Sequence, residues 1–352
     1  MPKNVTIDNV KIKNFGCVKD LDLKLTPIHA LIGPNDSGKS TILRAVRTAM
    51  HLYLGKFIGN LTSAKSCKPF HPGLFNNAEI DLIISNNNYK IKFYSFDSIR
   101  QENDNHSFNR KIWDDVPDYI LDSYFDKNIK NIFYFNPRMV RLDPDSLRES
   151  GGLIPSSKKI DLLDEKGIGL ASIYDALMIK NIDNFISIRK QVCDLFPSIT
   201  NVGFKNIDKG EKTLEIELKD GTRVPSQFMS EGILYYLAFA ALQYLEPASI
   251  ILVEEPENGL HPSRIKEIMQ ILRKISETTQ VLIATHSPLV INELKDDEVS
   301  IVWRDNENGT KAMPVKETKN FAERSKIYAL GELWLSYADG DTEKPLREGS
   351  DE

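Results

Sequence analysis

Apolar residues recur along the chain at two spacings, one typical of strands and the other of helices. Leu21–Leu25 alternates strictly between apolar and polar residues and Ile7–Phe15 does so more loosely, so both predict half-buried strands. Ile28–Ile32 is almost continuously apolar and predicts a short buried strand. After a glycine-containing turn, apolar residues recur at helical spacing between Ile42 and Met50. The order strand, loop, helix is therefore predicted near the N-terminus.

Two later segments have the pattern of β-hairpins. In Glu79–Phe96, alternating runs flank three asparagines at 86–88, and asparagine suits turns because it tolerates a positive φ. Over 213–224, alternating apolar residues flank an Asp-Gly pair at 220–221, which is a strong hairpin signal. Both segments predict antiparallel strand pairs.

The C-terminal half of the chain alternates helices with strands. An amphipathic helix pair is predicted over Ile173–Phe196 and a helix over Ser230–Leu245, and a buried strand precedes them at Asn131–Phe135. The elements predicted next are strand Ile250–Val253, helix Pro262–Ile275, strand Val281–Ala284, helix Leu289–Leu294 and strand Val299–Val302. Strands that alternate with helices predict a largely parallel sheet.

The predicted fold class is α/β, with a mostly parallel sheet flanked by helices, an antiparallel β subdomain and a helical or irregular insertion. Polar stretches that contain proline and glycine separate the predicted regions. These are an N-terminal part at 1–94, an insertion or lid at 95–170, a C-terminal part at 171–338 and an acidic tail at 339–352.

Composition and charge narrow the class of protein. The 352 residues carry a formal net charge of −5, and the acidic tail holds six acidic and two basic residues, so no global basic field favours nucleic acid. The segment 37–78 has six basic residues and no acidic one; a solvated helix face is the favoured interpretation, and a face for DNA or an acidic partner is the alternative. Three scattered cysteines, no apolar leader and no apolar run long enough to span a bilayer predict a cytoplasmic protein without a disulfide framework or membrane contact.

The strongest motif is Gly33–Thr41, which has the pattern G-x-x-x-x-G-K-[ST] between a predicted strand and a predicted helix. Glycine lets backbone N–H groups approach phosphate oxygens, the Lys39 ammonium neutralises the β and γ phosphates, and the Ser40 hydroxyl binds Mg²⁺. The positive end of the helix dipole faces the same phosphates. We therefore expect ATP and Mg²⁺ here, and the candidate contacts are Gly33, Asn35, Ser37, Gly38, Lys39, Ser40 and Thr41.

Two carboxylates follow the predicted strand Ile250–Val253. Because the ends of parallel strands lie at one edge of a sheet, Glu254 and Glu255 are expected beside the phosphate loop. Glu254 is assigned to Mg²⁺, usually through water, and Glu255 is assigned to polarising the attacking water. An Asp is more usual at the position of Glu254, but its extra methylene leaves the metal within reach.

Two weaker candidate motifs also lie where a predicted strand ends or a predicted helix starts. His286 comes just after the predicted strand Val281–Ala284, where it can donate a hydrogen bond to the γ phosphate, although a lone histidine is more often structural. Ser230–Gly232 precedes an apolar helix; Ser230 is a suitable N-cap, and the helix N-terminus can bind an anion.

Together, these motifs resemble the heads of ABC-type ATPases of the RecF, SMC and OLD (overcoming lysogenization defect) families. Their order is phosphate loop at 33–41, Ser-x-Gly at 230–232, double-acid strand at 250–257 and His286. The segments most similar to the RecF/OLD branch of AAA-type ATPases are Ile12–Gly16, Glu254–Pro262 and Thr285–Pro288. The resemblance covers about 1–60 and 170–305 of the chain.

The resemblance implies a P-loop NTPase fold of the ABC head type and hydrolysis of ATP. Such heads dimerise head to tail with two ATP molecules in the interface, so Ser230 and Gly232 of one subunit are implied to contact the γ phosphate held by the other. Asn14 and Phe15 lie where such heads often meet the nucleotide. The chain has no convincing Q-loop glutamine, since Gln101 lies in the polar insertion.

Three functions are compatible with the resemblance. The first is an ATPase that forms a homodimer or higher oligomer and regulates a separate effector, a nuclease or toxin, as similar ATPases do in bacterial anti-phage systems. The second is a RecF-like repair ATPase that clamps DNA. The third, a transporter's nucleotide-binding subunit, is disfavoured because the signature lacks Ser-Gly-Gly-Gln.

Two segment lengths restrict these options further. Only 190 residues separate Lys39 from Ser230, which leaves no room for the long coiled-coil arms of SMC proteins. The 66 residues after His286 are too few for the complete TOPRIM domain of OLD nucleases.

Overall fold

The computed structural model describes most of the chain and divides it into two units. The described residues are 6–53, 78–84, 87–95, 119–122, 137–155, 157–208, 210–305, 309–318, 321–325 and 328–337. The first unit comprises 1–138, 248–252 and 276–352, and the second comprises 139–247 and 253–275. The chain therefore passes between the units four times. The predicted strand Asn131–Phe135 lies outside the described residues.

An 11-stranded sheet forms the framework of the first unit. Its strands are β1 (Ile7–Phe15), β2 (Val18–Lys24), β3 (Ile28–Ile32), β4 (Ala78–Ile84), β5 (Asn87–Ser95), β6 (Tyr119–Asp122), β7 (Pro137–Val140), β12 (Ile250–Glu254), β13 (Gln280–Thr285), β14 (Val299–Asp305) and β15 (Gly309–Pro314). Their order across the sheet is β6-β5-β4-β1-β2-β15-β14-β3-β13-β12-β7. The boundary between the units falls within β7 and within β12.

Parallel and antiparallel pairing occur in different parts of this sheet. β3 pairs in parallel with both β13 and β14, and all five of its residues are buried, as expected for a central strand of an α/β fold. The predicted hairpin of β4 and β5 is present, and β4 also pairs with β1. The antiparallel strands of this unit are thus hydrogen-bonded into the same sheet as the parallel ones.

The predicted helices are present in the two units, together with short helices that were not predicted, at 144–148 and 321–324. In chain order they are α1 (Lys39–Tyr53), α2 (Pro144–Arg148), α3 (Leu170–Lys180), α4 (Ile182–Leu195), α5 (Glu231–Leu242), α6 (Pro262–Ser276), α7 (Pro288–Ile291), α8 (Phe321–Arg324) and α9 (Leu330–Tyr337). In the first unit, α1 lies against the sheet and buries Ile42, Leu43 and Val46. Among the described residues, no helix combines the length and the apolar character needed to cross a lipid bilayer.

The second unit contains a smaller antiparallel sheet and most of the remaining helices. Its strands are β8 (Gly151–Gly152), β9 (Ile199–Asp208), β10 (Glu211–Leu218) and β11 (Arg223–Pro225), with β10 pairing to each of the others. The hairpin of β10 and β11 was predicted, whereas β9 and, in the first unit, β15 were not. Inside the unit, α3 and α5 are almost wholly buried, and the Tyr174 hydroxyl donates a hydrogen bond to Leu237 O at 2.9 Å.

The aromatic residues around α5 differ in burial. Tyr235, Tyr236 and Phe239 lie within the helix and are buried in the core. Phe228 lies before the helix begins and is 80% exposed. It belongs to a separate helical turn, Ser226–Phe228, that ends before α5 starts.

Candidate functional site

The phosphate loop, Gly33–Thr41, joins β3 to α1 in the first unit. A Cβ atom on Gly33 would lie 2.0 Å from Val302 O, and one on Gly38 would lie 2.2 Å from Thr310 Oγ1. Gly38 also has φ +104°, which side chains rarely allow. Both glycines are therefore required by the close packing of the loop against β14 and β15.

Within the phosphate loop, Lys39 and Ser37 are buried polar residues. The Lys39 ammonium donates to Gly33 O and to Pro34 O, both at 2.8 Å, so it lies over the carbonyls of its own loop. Ser37 Oγ is buried and has no hydrogen-bond partner. The first turn of α1 contains no acidic residue, so the positive end of its dipole is not neutralised there. This combination of a buried ammonium, a buried hydroxyl and the N-terminus of a helix suits an oxyanion.

Thr310 and Cys17 contact the phosphate loop and the start of α1, and neither residue was predicted from the sequence. Thr310 Oγ1 donates to Ser37 O at 2.9 Å and lies 3.2 Å from Cys17 Sγ. Cys17 Sγ is in turn 3.3 Å from the hydroxyl of Thr41, in the first turn of α1. No sequence signal marks these residues, because the strand β15 that carries Thr310 was itself not predicted.

The predicted contacts Asn14 and Phe15 are the last two residues of β1, just before the turn to β2. Asn14 is exposed with φ 53°, whereas the Phe15 side chain is buried in the core. A Cβ atom on the next residue, Gly16, would lie 2.8 Å from Thr41 Cγ2, so this turn packs against the start of α1. The exposed Asn14 is therefore the member of the pair that is accessible to a ligand.

His286 leaves the sheet at the same edge as the phosphate loop. Thr285, the last residue of β13, is in register with Ile32, the last residue of β3, and the two strands are parallel. His286 and Gly33 therefore follow equivalent positions on neighbouring strands. The His286 side chain is exposed, while the hydroxyl of Thr285 accepts a hydrogen bond from Ser287 N at 2.9 Å and orders the turn.

In the second unit, Glu254 is the last residue of β12 and is buried. One of its carboxylate oxygens, Oε2, lies 3.3 Å from Arg141 Nε. The other oxygen, Oε1, is buried without a hydrogen-bond partner. A buried carboxylate oxygen with no partner is costly to the fold, and it is suited to a hard cation such as Mg²⁺.

Glu255 follows in a backbone conformation that is rare outside glycine, with φ 46°. Its carboxylate accepts a hydrogen bond from Asn258 Nδ2 at 2.7 Å, and its carbonyl accepts one from Asn258 N at 3.1 Å. The side chain is half-buried. These contacts turn Glu255 away from the direction of β12 and hold its carboxylate in one place.

The signature segment, Ser230–Gly232, lies at the start of α5 and close to the turn that carries Glu255. A Cβ atom on Gly259 would lie 3.3 Å from Glu231 Oε2, and one on Gly232 would lie 3.4 Å from Gly259 O. Ser230 occupies the N-cap position and is exposed, but its side chain makes no capping hydrogen bond, contrary to expectation. Its hydroxyl is therefore not engaged by its own helix.

The predicted site residues thus divide between the two units. Asn14, Phe15, the phosphate loop and His286 belong to the first unit. Ser230, Gly232, Glu254 and Glu255 belong to the second, where the signature segment adjoins the double-acid turn.

Comparison with protein families agrees with this arrangement. Residues 28–292 match the family described as "AAA domain, putative AbiEii toxin, Type IV TA system". The matched region covers most of the chain and includes the phosphate loop, the signature segment, both carboxylates and His286. The chain belongs to this family and is an ABC-type AAA ATPase of the SMC/OLD/RecF kind.

Two curated proteins are similar to this chain in sequence. The chain is 23% identical over 349 residues to the OLD nuclease of Thermus scotoductus, covering 88% of this chain and 64% of that protein. It is 31% identical over 118 residues to an uncharacterised protein of Methanocaldococcus jannaschii, covering 30% of this chain and 31% of that protein. The chain thus spans less than two thirds of the length of either relative.

The fold is that of SMC heads. An SMC head bound to the C-terminal winged-helix domain of ScpA has a TM-score of 0.53 at 16% identity, covering 87% of this chain and 96% of that one. A second SMC head, with an extended coiled coil and bound to the C-terminal domain of ScpA from Pyrococcus furiosus, has a TM-score of 0.52 at 13% identity, covering 92% and 100%. The predicted P-loop NTPase fold of the ABC head type is therefore confirmed.

Proposed function

We propose that the chain binds ATP with Mg²⁺ and hydrolyses it. The observation that carries the proposal is the phosphate loop, in which Lys39 and Ser37 are buried over a glycine-shaped cradle at the start of α1. The triphosphate draws the Lys39 ammonium away from Gly33 O and Pro34 O and forms an ion pair with it. Backbone N–H groups at the helix start supply the remaining donors.

Mg²⁺ fits the residues proposed for it. Mg²⁺ prefers a few oxygen ligands from protein together with phosphates and water, and Glu254 Oε1 is a buried oxygen without a hydrogen-bond partner. The Ser40 hydroxyl, in the first turn of α1, is the second proposed protein ligand. When bound, the ion neutralises charge on the β and γ phosphates.

Glu255 is the proposed general base. It accepts a proton from the attacking water as the water oxygen bonds to the γ phosphorus and the bond to the β–γ bridging oxygen breaks, releasing ADP. Lys39 stabilises the charge on the phosphates, and His286 donates a hydrogen bond to the γ phosphate. The fixed orientation of the Glu255 carboxylate by Asn258 supports this role, since a general base must be held within reach of its proton.

We further propose that ATP joins two copies head to tail, with Ser230 and Gly232 of one copy on the γ phosphate held by the other. The exposed Ser230 hydroxyl, which does not cap its own helix, supports this arrangement. The dimer regulates a separate effector, a nuclease or toxin, in anti-phage defence. The likeness to an OLD nuclease and the family description that names a toxin support an effector of this kind.

Calorimetric titration with ATP in Mg²⁺ tests the binding proposal. Lys39→Ala is expected to lose measurable binding while remaining folded, because Lys39 supplies charge to the ligand. Lys180→Ala is the matched control, since its ammonium also donates to a backbone carbonyl, Lys158 O at 2.8 Å, but lies outside the phosphate loop. Wild-type affinity in the Lys39 variant overturns the phosphate-loop assignment.

Co-expression tests the regulatory role. The chain is expressed with a nuclease or toxin encoded beside it, and effector activity is compared between wild type and Lys39→Ala. Loss of regulation in the variant supports the proposal. Equal effector activity in both, together with stimulation of the purified ATPase by duplex DNA, favours direct DNA clamping instead.

A further inference from the structure

Arg141 approaches Glu254 from the neighbouring strand. β7 and β12 are adjacent in the sheet; Arg141 directly follows β7, and Glu254 ends β12. Arg141 Nε lies 3.3 Å from Glu254 Oε2. The Arg141 backbone N–H donates to Glu165 O at 2.7 Å, which fixes the point from which its side chain extends.

The two side chains differ in exposure. The Glu254 side chain is only 6% exposed, whereas that of Arg141 is 59% exposed. Only one carboxylate oxygen is paired, and the buried Oε1 has no hydrogen-bond partner. A pair built solely for stability places a second donor on the buried oxygen, because an unpaired buried acceptor is costly. Here, Arg141 engages the carboxylate through one oxygen and leaves the other open.

We propose that Arg141 is a positioning residue that holds Glu254 by Oε2, so that Oε1 is presented to the Mg²⁺ of bound nucleotide. This inference rests on the proposed function. The guanidinium is permanently charged and planar, so it both balances the carboxylate charge and restricts its rotation. Arg141 acts from the end of β7, the strand beside the double-acid strand β12.

The test measures how much Mg²⁺ tightens the binding of a non-hydrolysable ATP analogue. Dissociation constants are determined by calorimetry in EDTA and in Mg²⁺, and their ratio is the Mg²⁺ factor. In Arg141→Gln, the affinity in EDTA is expected to stay at the wild-type value, while the Mg²⁺ factor falls by roughly 10-fold, the size seen when a residue that orients a metal ligand is lost. Glu254→Gln is expected to lower the Mg²⁺ factor at least as far.

Arg223→Gln is the matched control in the same unit. Arg223 is 67% exposed and lies 4.0 Å from Glu215, whose side chain is 15% exposed, so the substitution removes a similar exposed arginine from a similar acidic partner. Its Mg²⁺ factor is expected to equal that of wild type. In Arg141→Gln/Glu254→Gln, the factor is expected to match that of Glu254→Gln alone, because Arg141 acts through Glu254.

Arg141→Lys covers the case in which Arg141→Gln does not fold. Lysine keeps the charge, but its flexible point charge cannot fix the carboxylate orientation, so a smaller, several-fold fall in the Mg²⁺ factor is expected. A wild-type factor in any folded Arg141 variant overturns the inference. Failure of the wild-type protein to bind the analogue at all overturns the proposed function instead.

Discussion

Single residues of the candidate site are held in conformations that the fold must stabilise. Glu255 has φ 46°, a left-handed conformation that costs a non-glycine residue on the order of 1–3 kcal/mol. The two hydrogen bonds from Asn258 help to maintain it. Because the strain is localised at a carboxylate that follows a buried strand, it is consistent with a role in which the direction of the side chain matters.

Replacement of Glu255 by Gln separates its proposed role from that of Glu254. Gln keeps the size of the side chain but cannot accept the proton of the attacking water, so turnover is expected to fall by about 10²–10⁴-fold while ATP remains bound. Glu254→Gln is expected to raise the Mg²⁺ concentration needed for half-maximal activity. Single-turnover hydrolysis with nucleotide-retention measurements distinguishes them, and ATP trapping by Glu254→Gln alone means that the roles are exchanged.

A second residue-scale prediction concerns pH. His29 is buried in β3 between Thr26 and Ser300, with ring-nitrogen contacts of 3.1 and 2.9 Å. Burial lowers the pKa of His29 to about 4, although the nearby Glu298 opposes the shift. Because the folded-state pKa lies below the unfolded value of about 6.5, the unfolded state binds the proton first. The stabilisation that comes from burying neutral His29 is therefore complete above pH 6.5 and is lost as the pH falls towards 4.

The free energy of unfolding is expected to fall by about 3 kcal/mol over that pH range. The fall is observed as a decrease in the urea concentration at the midpoint of unfolding between pH 7 and pH 4. His29→Gln is expected to flatten this decrease, whereas His261→Gln, at an exposed turn, is expected to leave it unchanged. An equally steep decrease in His29→Gln assigns the acid sensitivity to other groups.

At the scale of elements, the phosphate loop depends on the hairpin of β14 and β15. Thr310 is fully buried and bonds to Ser37 O, so its hydroxyl fixes the loop carbonyl that precedes Gly38. Thr310→Val keeps the shape but removes a hydrogen bond with a net value of about 1 kcal/mol. We expect ATP affinity to fall by roughly 5-fold, measured by calorimetry.

Thr318→Val is the control for this prediction. Thr318 is also buried, and its hydroxyl donates to Val315 O at 2.7 Å, away from the phosphate loop. Both variants are expected to lose similar stability, but only Thr310→Val is expected to lose affinity. Equal affinities in the two variants mean that the loop keeps its shape without the hairpin.

The elements show which parts of this molecule could be predicted from sequence. The strand, loop and helix around Gly33–Thr41 were predicted because their periodicity is local and the loop has a motif. β9 was missed because its apolar residues do not alternate, and β15 because its sequence has neither an alternating nor a continuous apolar run. Thr310 and Arg141 were missed for a related reason: their roles depend on neighbours far away in sequence, at Ser37 and Glu254.

At the scale of the whole molecule, the candidate residues are distributed over two discontinuous units. Val253 and the two carboxylates after it belong to the second unit, although they continue a strand that starts in the first. The order of motifs along the chain therefore does not reveal this division.

ATP-dependent dimerisation is the prediction that involves the whole molecule. The carboxylate introduced by Ser230→Glu would repel the γ phosphate of ATP held by a second copy. In this variant, ATP is therefore expected not to increase the mass measured by light scattering. Glu255→Gln, in contrast, is expected to accumulate as the dimer. Ser187→Glu adds the same charge at an exposed helix position in the same unit and is expected to associate normally. Phe228→Ser removes an exposed aromatic side chain two residues before Ser230 and is expected to weaken association without changing ATP binding. Wild-type association of Ser230→Glu with ATP contradicts the assignment of the signature segment, because a head-to-tail interface cannot bury that charge against the phosphate.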